Sequence, residues 1–156
     1  MENTASDLRA ATPEDEQFLR AVYAGTRAEE LAQTPWNDEQ KRAFTDMQFA
    51  VQDADYRLRY PTAQYSIIEV EGIPAGRLYL VRWEREIRIM DIALLPEHRR
   101  AGIGTKLLRE LQDEARTAGK ALTIHVEKFN PALSLYHRLG FQQIEDKGIY
   151  LFLEWK

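Results

Sequence analysis

Apolar residues recur at three- and four-residue intervals in some stretches of the chain and alternate in others, which divides it into helices and strands before any motif is considered. A short strand from Asp7 to Ala11 leads into Thr12-Pro13-Glu14, where Thr is a favoured N-cap and Pro suits the first helical position. The helix so begun carries Phe18, Leu19, Val22 and Tyr23 on one face, and Gly25 is read as its end. Thr34-Pro35-Trp36-Asn37-Asp38 opens a second, longer helical pattern that runs to Tyr60 and is stopped by Pro61. Its stripe of Phe44, Met47, Val51, Ala54 and Leu58 is expected to face the core, with Gln48, Phe49, Gln52, Tyr56 and Tyr60 on the other faces.

The period changes to that of strands at residue 64. Tyr65 to Val70, the turn Glu71-Gly72-Ile73-Pro74, and Gly76 to Trp83 read as a hairpin, and Ile87 to Leu95 as a third strand. A helix from about Gly102 to Ala118 follows, with Leu107, Leu108, Leu111 and Ala115 on one face and Gly119 after its end. Leu122 to Glu127 is another strand, Pro131 opens a short helix through Leu139, and Phe141–Ile144 and Ile149–Trp155 form a closing hairpin around Lys147-Gly148. The order β-α-α-β-β-β-α-β-α-β-β has one region of strand-helix-strand alternation. The expected fold class is therefore α/β, a mixed (α+β) sheet flanked by helices.

Composition narrows the chemistry. A chain of 156 residues fits one domain, taken as 1–156. With 21 Lys and Arg against 25 Asp and Glu, the net charge of −4 argues against a nucleic-acid or acidic-membrane partner. There is no cysteine, hence no disulfide, thiolate site or Cys nucleophile. The three histidines, at 98, 125 and 137, lack metal-ligand spacing, so no metal is expected. Met1-Glu2-Asn3-Thr4 has no signal-peptide character, and no stretch approaches the ~18 apolar residues of a membrane span, so a cytoplasmic location is expected.

One loop concentrates positive charge. Between Arg99 and Arg109 lie four basic residues, at 99, 100, 106 and 109, and no acidic one. Arg99-Arg100-Ala101-Gly102-Ile103-Gly104-Thr105 joins a strand to a helix start, where unpaired backbone N–H groups and the helix dipole favour an anion. Glycines at 102 and 104 allow phosphate oxygens close approach, and the arginines offer bidentate donors. A pyrophosphate suits this loop, although a glycine-rich turn that merely caps a helix has the same letters. The spacing matches neither a P-loop nor a dinucleotide fingerprint, which with the missing lysine disfavours a nucleotide-phosphate binder.

A second segment, Asn130-Pro131-Ala132-Leu133-Ser134-Leu135-Tyr136-His137-Arg138-Leu139-Gly140-Phe141, follows the next strand. Together the two segments resemble those of the GNAT superfamily of N-acetyltransferases, whose pyrophosphate loop reads [RQ]-x-x-G-x-[GA] and which carries an Asn…Leu-Tyr…Gly-Phe segment after it. The resemblance covers essentially the whole chain, most loosely over residues 26–62. It implies an acyl-CoA N-acyltransferase fold and acetyl-CoA as cosubstrate. Backbone groups of Ile92, Ala93 and Leu94 would pair with the pantetheine amides, Arg99 through Thr105 (with Arg100, Ala101, Gly102, Ile103 and Gly104) would hold the pyrophosphate, and Asn130 would touch the pantetheine arm. Tyr136 would donate a proton to the leaving thiolate. Asn130 precedes Tyr136 by six positions where many relatives have seven, a departure that bears on Asn130.

The resemblance leaves the base and the acceptor open. Asp91, His125 and Glu127 are the candidate general bases, beside a route through water alone. The acceptor would be shaped by residues 26–63, with Trp36, Gln48, Gln52, Tyr56 and Tyr60 as lining. Glu29, Glu30, Asp38 and Glu39 are either an attraction for a cationic amine or a solvated surface. With no cysteine for an acyl-enzyme, direct attack of an amine on the thioester is the expected route. A non-catalytic acyl-CoA sensor is the alternative, and a homodimer is left open.

Overall fold

The elements expected from the pattern assemble around one twisted sheet in the computed structural model, which describes residues 6–156. In chain order they are β1 (Ser6–Ala10), α1 (Glu16–Ala32), α2 (Asp38–Arg59), β2 (Gln64–Val70), β3 (Ile73–Arg82), β4 (Glu86–Leu94), α3 (Ile103–Ala118), β5 (Ala121–Glu127), α4 (Leu133–Arg138), β6 (Gln142–Asp146) and β7 (Tyr150–Trp155). Short 3-10 turns at Pro13–Asp15 and Pro96–His98 precede α1 and α3. The strand order is β1-β2-β3-β4-β5-β7-β6. Only β4 and β5 are parallel, because α3 carries the chain back between them; the other neighbours are antiparallel.

The two faces of the sheet differ in chemistry. Ile68, Leu78, Leu80, Ile87, Ile89, Leu122, Ile124 and Leu153 point to the side covered by α3 and α4, where Leu107, Leu108, Leu111, Tyr136 and Phe141 complete an apolar core. The opposite side meets α1 and α2 through a smaller cluster of Leu19, Tyr23, Phe49, Ile67 and Tyr79. Fully buried Arg77 lies on that second face, next to Tyr79.

Two expectations fail, each for a physical reason. Helix α1 does not stop at Gly25 but continues to Ala32. Gly25 lacks the positive φ of a helix-ending glycine, and Ala28, Glu29, Glu30, Leu31 and Ala32 are good helix formers that offset the ~1 kcal/mol glycine cost. Helix α2 forms where expected, with Asn37 Oδ1 accepting from Gln40 N at 2.8 Å, but its orientation is rotated from the expected one. Met47, Val51 and Leu58 are 55%, 64% and 81% exposed, whereas Thr45, Phe49, Gln52 and Tyr56 turn inward. The sheet surface beneath α2 presents Arg77 and Tyr79, so the helix buries its amide and phenol side and leaves its aliphatic stripe outside.

Irregularities in the ladder shape the centre of the sheet. β3 opposes β4 with Tyr79 across from Asp91 and Leu80 across from Ile89, which leaves Met90 as an extra residue in β4. Such a bulge bends its strand. Nearby, Gly76 packs so closely on β4 that a Cβ there would lie 2.2 Å from the Ala93 carbonyl oxygen and 3.0 Å from the Leu94 Cα. Both are backbone atoms, so neither can swing aside. Gly76→Ala is therefore expected to destabilise the fold by roughly 1–3 kcal/mol. Denaturant unfolding at constant m-value measures this, and an unchanged midpoint would mean that β4 yields freely at this point.

Candidate active site

β4 and β5 are hydrogen-bonded over only four residues each, Glu86–Ile89 with Ala121–Ile124. The bulge at Met90 follows immediately. Beyond it, Met90–Leu94 and His125–Glu127 no longer pair with one another, although Ile92, Ala93 and Leu94 keep their register with β3 and His125–Glu127 keep theirs with β7. The sheet is thus split at its centre, and among the described residues the β5-facing edge of Ile92–Leu94 lacks a strand partner.

The basic loop closes one end of this split. Arg100 has φ 64° and Gly102, the residue before α3, has φ 81°. Lys106 N is the first to bond back, to Gly102 O at 3.0 Å, so the N–H groups of Ile103, Gly104 and Thr105 head the helix without intrahelical acceptors. A Cβ on Gly102 or Gly104 would meet nothing within 4 Å, so the loop is open towards solvent. Arg99 Nε donates to Leu94 O at 3.0 Å, which ties the loop to the end of β4. Lys106 turns away to Ser6 Oγ at 3.0 Å.

Tyr136 lies buried on α4, edge-on to Phe141 at 5.6 Å. Burial, and then the negative charge of Asp91, push its phenol well above the ordinary tyrosine range, so it stays protonated at neutral pH. Asn130 is exposed, and its Oδ1 accepts from Ala132 N at 2.8 Å just before α4.

On the α1/α2 face, Asp91 forms an ion pair with Arg77 Nη2, and that guanidinium also donates to Gln52 Oε1 at 2.9 Å. Burial works against the charge on Arg77, but Asp91 and the neighbouring tyrosines outweigh it and hold its pKa above the usual value. Its Nε and Nη1 have no hydrogen-bond partner among the described residues and lie among the rings of Tyr79 and Tyr23, 4.7 and 5.8 Å from the guanidinium carbon. Tyr56 of α2 donates to the Met90 carbonyl at 3.3 Å, directly at the bulge. Burial first, and Asp91 second, raise its phenol too.

A cleft of about 820 Å³ opens above this network. One wall is α1 and α2, with Tyr23, Arg27, Gln48, Gln52, Tyr56 and Tyr60; the other is the sheet and the β6–β7 turn, with Arg88, Met90, His125, Lys147 and Tyr150. Of the residues expected to line an acceptor pocket, Gln48, Gln52, Tyr56 and Tyr60 are gathered here. Trp36 instead packs on Phe44 at 5.1 Å, outside the cleft. Glu29, Glu30, Asp38 and Glu39 are exposed and do not line it, and Glu30 is taken up by Arg27 at 2.9 Å. His125 stacks on Phe152 at 4.6 Å, with Lys147 Nζ 3.1 Å from its Nε2. Burial, then the charges of Lys147 and Arg88, lower its pKa, so it is neutral at neutral pH. Glu127 lies 3.5 Å from Arg27.

Arg77 and Lys147 escaped the sequence reading. Arg77 sits in an otherwise uncharged run, Ile73 to Val81, and a charge there is itself the signal that the strand faces something polar. Lys147 looked only like a hairpin residue.

A profile of the acetyltransferase (GNAT) family matches residues 24–141, and the chain belongs to that family. It is 33% identical over 113 residues to the L-methionine sulfoximine/L-methionine sulfone acetyltransferase of Salmonella typhimurium, a match covering 68% of this chain and 63% of the relative. It is 41% identical over 61 residues to the streptothricin acetyltransferase of Streptomyces lavendulae, covering 38% and 32%. The matches thus span less than two thirds of the length of these curated relatives. The fold superposes on the PaiA N-acetyltransferase of Thermoplasma acidophilum, solved in complex with coenzyme A, with a TM-score of 0.71 at 17% identity over 97% of this chain and 99% of that one.

The buried pair gives a direct test. Arg77→Met leaves the partly exposed Asp91 carboxylate without its counter-charge, at an expected cost of roughly 1–3 kcal/mol, and Asp91→Asn in the same chain should recover a large part of it. A double-mutant cycle by denaturant unfolding measures the coupling; additive effects would show that the two charges do not depend on one another.

Proposed function

We propose that the protein is an acetyl-CoA-dependent N-acetyltransferase in which an amine attacks the thioester directly. The carrying observation is the split between β4 and β5, whose free main-chain edge at Ile92–Leu94 runs toward an anion-receptive helix start at Gly102–Thr105. An extended amide-bearing arm with a pyrophosphate at its end fits that combination, one part adding to the strand edge and the other meeting three N–H groups with Arg99 and Arg100 beside them. Asn130, at the entry to α4, keeps its side-chain NH2 available to the same arm.

Bound acetyl-CoA supplies the activated acetyl group: the new C–N bond forms as the C–S bond breaks. The side chains manage protons and charge. Tyr136, held protonated by burial and by Asp91, donates to the departing thiolate. The attacking nitrogen loses one proton, and Asp91 is the acceptor we assign, directly or through water, because its carboxylate, anchored by Arg77, sits on β4 immediately before the free edge Ile92–Leu94. In His125, Nε2 already faces the Lys147 ammonium, which leaves that nitrogen poorly placed to accept. Backbone N–H groups in the split would stabilise the oxyanion. Similarity to an L-methionine sulfoximine/L-methionine sulfone acetyltransferase and to a streptothricin acetyltransferase supports an amine acceptor of small-molecule size. An acyl-CoA sensor would need the strand edge and the loop but no proton donor at the sulfur, so the presence of Tyr136 in the segment 130–141 favours the enzyme.

Two substitutions separate binding from chemistry. Gly102→Glu, which strains a residue at φ 81° and brings a negative charge to the loop, should abolish coenzyme A binding in calorimetry; unchanged affinity in a folded variant removes the phosphate assignment. Tyr136→Phe should lower kcat by roughly 10²–10⁴-fold with little change in coenzyme A affinity, while equal turnover would remove Tyr136 as the acid.

A further inference from the structure

The charges of the cleft do not suit a polycationic acceptor. Among the described residues four cations line it, Arg27, Arg59, Arg88 and Lys147, against a single carboxylate, Asp55. Three of the cations are already compensated: Arg27 by Glu30 at 2.9 Å, Arg59 by Asp55 at 3.2 Å and Arg88 by Glu86 at 2.8 Å. Lys147 is different. Among the described residues no carboxylate lies within 4.0 Å of its ammonium, which instead rests against His125 Nε2 at 3.1 Å and over the Phe152 ring at 5.0 Å. Arg88 also stacks on Phe152, with its guanidinium carbon 5.3 Å from that ring. Two cations thus share one aromatic platform, beside a histidine whose pKa is lowered by burial first and then by both of them.

The position is as informative as the charge. His125 is the first β5 residue beyond the last β4–β5 pair, Ile89–Ile124, so the uncompensated cation stands at the apex of the split on the face that α1 and α2 cover. An anionic group placed there would be held a short distance from an amine directed into the split.

We propose that the acceptor carries a carboxylate next to its amine, as an amino acid does, and that Lys147, supported by Arg88, is the residue that binds it. This rests on the amine-acetylation reading above and adds the acceptor class to it. The site selects for charge: the carboxylate supplies the counter-ion that Lys147 lacks, whereas an amide, an ester or hydrogen in its place leaves Lys147 uncompensated.

Matched acceptors test the assignment by thiol release from acetyl-CoA: leucine, methionine and phenylalanine, each beside its amide and its decarboxylated amine, with spermidine and a lysine peptide as further amines. At least one amino acid should exceed its carboxylate-free partners in kcat/KM by about tenfold or more. Lys147→Met, at an exposed turn position and with folding checked by thermal melting, should raise KM for that amino acid about tenfold, change kcat little and leave its amide within about twofold. Amides or decarboxylated amines used as well as the amino acids, turnover confined to spermidine or the peptide, or an equal loss for both members of a pair in the variant would overturn the carboxylate assignment alone. No thiol release with any amine, from protein that still binds coenzyme A, would overturn amine acetylation itself and the acceptor class with it.

Discussion

The departure of β4 from β5 after Ile89 is the constraint on which the site depends. A parallel pair that continued to Leu94 and Glu127 would close the sheet, satisfy its own main chain and leave nothing to recognise an extended ligand. Three features keep it open. The extra residue Met90 bends β4, Gly76 lets β3 hold the bent strand at close range, and Tyr56 reaches down from α2 to take the carbonyl at the bulge. Side chains of both layers therefore bear on a backbone feature, which is why a glycine with no chemistry of its own matters here.

The polar layer under α1 and α2 follows from the same opening. A strand that leaves its neighbour exposes polar main chain, and the space beside it is occupied by Arg77, Asp91, Gln52 and the tyrosines rather than by aliphatic groups. Burying such a network is costly unless its charges are matched, and the Asp91–Arg77 pair provides the match. That charge then acts at a distance: it helps to keep Tyr136 and Tyr56 protonated. On the other face α3 and α4 pack on an apolar core, so the site lies between an apolar layer and a polar one.

Much of this was legible in the residues. Strand alternation from residue 64, the leucine stripe of α3 and the Arg/Gly loop each have a strong local cause, and all three appear where expected. Family membership followed from two segments whose spacing reflects one helix and one strand. What could not be read depended on the partner surface. The phase of α2 follows the chemistry of β3 beneath it, and a hydrophobic stripe carries no information about a buried arginine on another element. Gly25 reads as a stop only if its φ is positive, which is a property of the fold. The role given to Lys147 depends on a contact with His125 across 22 residues of sequence.

The most direct measurement is amide hydrogen exchange with and without coenzyme A. If the split strands and the helix start form the cosubstrate site, exchange should slow in Ile92–Leu94 and in Ile103–Thr105 together, with the β6–β7 hairpin little changed. Protection confined to other segments, or none despite saturating coenzyme A, would contradict the account.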